Sequence, residues 1–458
     1  MIARLIALIL AAALSTQAMA EPSPDPRTAT AAALRDKALG DPLAYELVSS
    51  LATQVGARPA GSAAAAKARD WAVAQLTRLG FQNIQVEPFA ITAWTRGREE
   101  AEITAPERTQ LTLLGLGGAA PTPPGGVEGE IAVFHSFAEL TAAPSGSLAG
   151  KIALIDQAMP RTRDAAGYSL VNRGRMRGAQ EAGKRGAAAF LVRSTTTASD
   201  RIAHTGAAHF DGARIPAAAV SPPDAEHLAA LAAKGPVRVR LVLESAEAPA
   251  TAWTVSGEIT GSERPDEIVA IGGHLDSWDV GQGAIDDGVG VAISTSAAHL
   301  ISQLPRRPRR TIRVVLFGAE EMDFSRKAYA SAHAAEAPRM VVASEADAGA
   351  DALYAIALPR GAAAAPQLQP LAGVLEPLNV VISPDPARET GADFASLQQQ
   401  GVPVIDFKTD LTRYFDWHHS SQDILDKVDR ASLAQNVAAW AAVIYLIADS
   451  DIDFRALR

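Results

Sequence analysis

The sequence predicts a mixed α/β fold with a mostly parallel sheet covered by helices on both faces. Three observations carry this. After Pro249, short apolar strands alternate with helical stretches. These strands are nearly continuous apolar runs, as strands buried on both faces should be. The polar motifs fall directly after the strands, where sites form in such sheets. A second, smaller unit between them is rich in short strands separated by glycines.

In chain order, residues 1–20 read as a secretory signal peptide. Arg4 is followed by an apolar run from Leu5 to Leu14, and Ala18-Met19-Ala20 forms a cleavage site before Glu21. The run is too short to span a bilayer. A periplasmic or secreted product is expected, with no later segment long and apolar enough for a membrane. Residues 21–40, rich in proline and alanine, are expected to be a loose lead-in. The first part of the main unit covers 41–114, with an amphipathic helix from Ala66 to Leu79, a stop at Gly80 and a strand at Ile84–Glu87.

Pro121, Pro123 and Pro124 mark a boundary, and residues 115–247 form the smaller unit. Its strands are Ile131–Phe134, Ile152–Ile155, Ala188–Val192, Ala217–Val220 and the alternating Val237–Leu243, with a helix around Arg175–Lys184. Nothing in it has catalytic spacing. The second part of the main unit, 248–458, holds strands at Ile268–Ile271, Thr311–Phe317, Val341–Ser344 and Val402–Phe407. Helices are expected at Asp287–Leu304, Ala392–Gln400 and Leu433–Leu446.

Composition narrows the chemistry. The 458 residues are 48% hydrophobic and carry a net charge of −9, which is globular and gives no electrostatic footprint for nucleic acid. There is no cysteine, so disulfides and thiol catalysis are excluded, and any metal must sit on His, Asp or Glu.

Four clusters offer such ligands. His274 follows a strand within Gly273-His274-Leu275-Asp276-Ser277-Trp278, and Gly281 and Gly283 let the chain turn back towards Asp286-Asp287. Asp276 is near enough to hold one imidazole nitrogen of His274 and leave the other for a metal. Glu320 and Glu321 end the next strand, so one can bind metal while the other carries protons. Glu345 and Asp347 form the third cluster; His418, His419 and Asp423 belong to the fourth. Any one alone could be a solvated acidic loop, a helix start or a stray histidine. Together, mixed carboxylate and imidazole donors suit Zn²⁺, or Mn²⁺ or Co²⁺. Three carboxylates and a bridging hydroxide would neutralise two divalent ions. The residues do not choose between His418 and His419, which cannot easily face one metal together.

These motifs, in this order, resemble the two-zinc aminopeptidase family, and most nearly its carboxypeptidase Q branch (plasma glutamate carboxypeptidase), over about residues 41–450. The resemblance implies a zinc-exopeptidase α/β sandwich with a protease-associated domain inserted at 115–247. It implies that His274 and Asp347 bind one zinc, that Glu321 and His419 bind the other, and that Asp286 bridges both. Glu320 would be the general base and acid, and Asp276 would orient His274. His418 stands where simpler aminopeptidases have a tyrosine, and is expected to stabilise the oxyanion. The implied activity is hydrolysis of dipeptides or of N-terminal residues of short peptides, by an enzyme that forms a homodimer. The alternatives are a one-zinc glutaminyl-cyclase-like acyltransferase and an inactive peptidase fold used for binding. Retention of all five ligand positions and Glu320 speaks against both.

Overall fold

The computed structural model describes residues 25–457, and the signal peptide expected at 1–20 lies outside the described residues. The described chain opens with a helix, α1 (Pro26–Ala38), capped by the Asp25 side chain and with Pro26 in its first turn. Ala31, Leu34 and Ala38 on it are buried. This corrects the expectation of a loose lead-in over 21–40. Alanine is the best helix former, and proline is harmless where its missing N–H has no helical partner anyway. Helices α2 (Leu43–Ser50) and α3 (Ala63–Arg78) follow; Ser62 caps α3, and Gly80 turns the chain out of it with φ +80°.

The middle of the chain contains β1 (Gln82–Ala105), β2 (Thr109–Leu111), β3 (Leu113–Gly115), β4 (Val127–Phe134) and α4 (Phe137–Ala142). Then come β5 (Ile152–Ile155), α5 (Ala166–Lys184), β6 (Ala189–Arg193), β7 (Ala217–Val220), α6 (Pro222–Ala232) and β8 (Arg238–Ile259). Strands β1 and β8 form a long antiparallel ribbon, of which the sequence shows only two short alternating pieces. Strands β4, β5, β6 and β7 are parallel neighbours, and their block has two apolar clusters of its own, one on each face.

The last part holds β9 (Arg264–His274), α7 (Val289–Ser302), β10 (Arg310–Phe317), α8 (Ser325–Ala332), β11 (Met340–Glu345) and β12 (Leu353–Ala357). It ends with α9 (Leu371–Leu375), β13 (Val381–Ile382), α10 (Ala395–Gln399), β14 (Asp406–Thr409) and α11 (Arg430–Ala448). The main sheet runs β11-β9-β10-β8-β4-β5-β6-β7-β3, with β8 joining the two parallel regions antiparallel to both. The main core, with α1, α2, α7 and α11, lies against one face of β9–β11. Tyr329, Phe394 and Leu397 cover the other.

Two expectations are corrected. The run Val402–Phe407 is not a strand of the main sheet. Only Val404 bridges to Ala343, because Pro403 lacks a backbone donor, and the chain moves on into β14 of a separate sheet, β13-β12-β14. Helix α11 does have the length and apolarity of a membrane span, but 78% of that window is buried inside the protein. It serves as the core helix.

Candidate metal centre

Three parallel strands deliver their ends to one crevice. Phe317 at the end of β10 pairs with His274 at the end of β9, so Glu320 and Glu321 emerge beside His274. On the other side Glu345 of β11 pairs with Gly272, which places Asp347 next to it. Asp286 returns to this point through the left-handed Gly283, φ +60°. The loop is pinned by Asp423, whose Oδ1 accepts from Ile285 N–H at 2.6 Å. His418 and His419 arrive from the loop after β14.

Asp286 stands between two imidazoles. Its Oδ1 is 2.9 Å from His274 Nε2, and its Oδ2 is 3.2 Å from His419 Nε2. His419 Nε2 is also 3.0 Å from Glu321 Oε2, and His274 Nε2 is 3.6 Å from Asp347 Oδ1. His418 is drawn in as well, but its Nε2 is 3.8 Å from Asp286 and its ring stacks on that of His419 at 3.5 Å. Groups of three possible ligands that include these residues lie within 4.8 Å of one another. His274, Asp286, Glu321, Asp347, His418 and His419 thus come together, and Glu320 is close enough to His274 and Asp347 for their charges to act on it.

The electrostatics call for cations. Burial, reinforced by neighbouring carboxylates, raises the pKa of Glu320 well above its ordinary value and raises those of Glu321 and Asp347. For Asp286 burial also acts upwards, but the hydrogen bond from His274 and the imidazole of His419 beside it outweigh this and hold its pKa far down. Burial opposes charge on His274, yet bonds to Asp276, Asp286 and Asp347 raise its pKa well above normal. Asp286 Oδ2 and Glu321 Oε1 are buried without a hydrogen bond, the close approach of His419 to Asp286 being an unaligned contact. Orphaned carboxylate oxygens beside imidazole nitrogens, with no sulfur, fit a divalent metal such as zinc.

Asp276 has more to do than the sequence suggests. Its Oδ1 is 3.6 Å from His274 Nδ1, and the same carboxylate accepts from the Glu320 N–H at 2.9 Å. It therefore fixes the Glu320-Glu321 turn as well as facing His274.

Peptidase family M28 matches residues 254–444. Mouse carboxypeptidase Q is 36% identical over 414 residues, covering 89% of this chain and 86% of its own. The chain belongs to peptidase family M28. The crystal structure of a peptidase M28 precursor from Shewanella amazonensis superposes with a TM-score of 0.91 and 41% identity, covering 94% of this chain and 99% of that one. A zinc aminopeptidase from Bacillus subtilis shares the fold, with a TM-score of 0.64 at 18% identity over 91% of this chain and 97% of that one.

In this M28 chain, several residues at the site were not evident from sequence. Buried Arg58 donates to the carbonyls of Gly56, Leu275, Gln282 and Gly283, tying down the loop between His274 and Asp286. From the middle block, where the sequence shows no catalytic spacing, α5 brings Arg175 within 3.0 Å of His419 Nδ1 and Tyr168 against the His418 ring. A signal was present: Val171, Arg175, Gly178 and Ala182 share one buried face of α5, so a single arginine lies in an apolar stripe. Trp278 packs edge-on to Trp94 beside an apolar cavity of about 140 Å³ that adjoins Glu321.

Proposed function

We propose that the chain is a zinc-dependent exopeptidase that hydrolyses dipeptides and releases N-terminal residues from short peptides. The observation that carries this is Asp286, one oxygen facing His274 and the other facing His419, with Glu320 following the end of β10 that pairs with His274. His274 and Asp347 would hold one zinc, Glu321 and His419 a second, and Asp286 both. Bound there, zinc supplies Lewis acidity towards the scissile carbonyl and acidifies water.

The remaining chemistry belongs to the protein. The Glu320 carboxylate makes no side-chain hydrogen bond to a described residue, and burial raises its proton affinity. It takes a proton from the attacking water and passes it to the leaving amine. Asp276 keeps Glu320 in register through its main-chain N–H. Burial, with His419 beside it, drives the His418 pKa well below normal, so this ring is neutral and offers one N–H to the developing oxyanion. The relatives carry names for opposite ends of a peptide, carboxypeptidase and aminopeptidase. A dipeptide presents both ends at once. The block at 115–247 is read as a protease-associated insert, and residues 1–20 as the signal that exports the enzyme.

The test is a panel of dipeptides and N-blocked dipeptides on zinc-loaded protein, with Glu320→Gln as control. Hydrolysis of the free dipeptides, lost in Glu320→Gln while zinc is retained, supports the reading. Equal hydrolysis by Glu320→Gln, or none by the unaltered protein, contradicts it.

A further inference from the structure

The chemistry of the metal centre leaves the cavity beside Trp278 unused. Its apolar walls come from three places. Ile91, Ala93 and Trp94 stand on β1, Trp278 follows β9, and Met322 and Phe324 follow the turn of Glu320 and Glu321. The volume is about 140 Å³, and one end of the hollow reaches Glu321. The Trp278 ring lies 5.7 Å from that of His419, so the cavity adjoins the metal centre on two sides.

The polar groups around it are already engaged. Both oxygens of Asp279 accept from Arg96, at 2.8 and 3.0 Å, and Arg96 also donates to Glu99 and to Gly115 O. Asp276 accepts from the Glu320 N–H, Ser62 caps α3, and Ser277 Oγ bonds to Arg58 N–H and to Trp278 O. Glu321 is turned to His419. A charged guest would therefore leave water without gaining a free partner. An apolar one gains with each buried carbon. A cavity of about 150 Å³ with such a lining takes up a guest the size of benzene. Leucine, methionine and phenylalanine side chains are of that size. An indole is larger, and a methyl group leaves most of the space empty.

A second element holds the shape. Gly117 of the middle block packs against both Trp278 and Met322 from outside the cavity. A Cβ there would come within 2.4 Å of Trp278 Cη2 and 2.8 Å of Met322 Sδ. Main-chain bonds to Gly206 and Ala208 fix Gly117 in place. On this side the two side chains have no room to retreat before a larger guest.

We infer that this cavity receives the side chain of one of the two residues flanking the scissile bond, and selects an uncharged apolar chain of leucine to phenylalanine size. The inference rests on the peptidase reading and adds a side-chain class to it.

Dipeptides of glycine with alanine, leucine, phenylalanine, tryptophan or lysine, made in both orders, test it. In one of the two orders leucine and phenylalanine should exceed alanine in kcat/KM by about 10-fold or more, since one methylene in an apolar pocket is worth at least about that. Tryptophan and lysine should not. Ala93→Leu, which fills the cavity, should bring the leucine-to-alanine ratio close to one. Met322→Ala, which enlarges it, should raise tryptophan relative to leucine, a gain that a damaged fold does not produce. A flat series, a preference for lysine, or ratios unchanged in a folded variant overturns the inference. Zinc content and circular dichroism show whether Ala93→Leu folds; if it does not, Met322→Ala decides. Calorimetry with the same dipeptides on zinc-loaded Glu320→Gln protein, with and without Ala93→Leu, separates the two readings. Tighter binding of leucine that Ala93→Leu removes, with no turnover by the unaltered protein, upholds the cavity and sinks the peptidase. Turnover without side-chain preference does the reverse.

Discussion

His204 Nδ1 lies 2.7 Å from the main-chain oxygen of His418. Burial brings the His204 pKa down to about 4, so the ring is neutral and its Nδ1–H donates to that carbonyl. The contact is one of several from the middle block onto the turn that carries both histidines. Thr205 N–H donates to His419 O at 2.9 Å, Thr196 Oγ1 to Phe415 O at 2.7 Å, and Arg161 Nη2 pairs with Asp416 at 2.7 Å. Within this turn His419 itself has φ +60°, a conformation that a non-glycine residue holds only when its surroundings impose it.

His204→Leu should therefore weaken zinc binding at the His419 position, by roughly 10- to 100-fold as for other residues that orient a ligand. A chelator competition titration reads this directly. Unchanged affinity would mean that the turn holds itself.

Removing Arg58 attacks the opposite side of the site. Arg58→Met leaves four main-chain carbonyls short of a donor, two of them flanking Gly283 of the Asp286 loop. A loss of about 2–4 kcal/mol in urea unfolding is expected, together with weaker zinc retention. A change within about 0.5 kcal/mol, typical of a neutral surface position, would show that this network is dispensable.

Acid stability should depend on Glu336. Burial acts to raise its pKa, but hydrogen bonds from Arg313 and His333 bring it down to about 2 from an ordinary 4.5. A carboxyl with a depressed folded pKa stabilises fully above 4.5 and loses that contribution as the pH falls towards 2. His333 is opposite in sign. Burial lowers its pKa, bonds to Glu87 and Glu336 more than restore it, and its contribution is complete below 6.5 and fades as the pH rises. Glu336→Gln should cost about 2 kcal/mol near pH 6, allowing for its partial exposure, and the gap should narrow below pH 4.5. Denaturant melts at pH 6 and pH 3.5 provide the comparison; a constant gap would contradict the assignment.

Helix α1 makes a further test. Leu34 is 1% exposed, so Leu34→Ala should cost about 2–4 kcal/mol. A loose lead-in would predict almost no change.

Much of this architecture shows in local patterns. Runs such as Thr311–Phe317 are legible because a parallel strand covered on both faces must be apolar throughout, and the site motifs stand out because they interrupt such runs. The β1–β8 ribbon is harder to read, since its long half-exposed strands mix polar and apolar residues under weak constraint. The lead-in helix is hidden by its prolines and alanines, which suit a linker as well as a helix start. Arg175 and His204 are least legible of all. Each meets the histidine turn across more than 200 residues of sequence, and only the tertiary fold brings them there.

The most direct measurement is the zinc content of protein saturated with zinc and then dialysed, set against Asp286→Ala. Two ions per chain, with both sites weakened together by loss of the carboxylate placed between His274 and His419, is the predicted result. A single ion, or two ions held undiminished without Asp286, would contradict the paired centre.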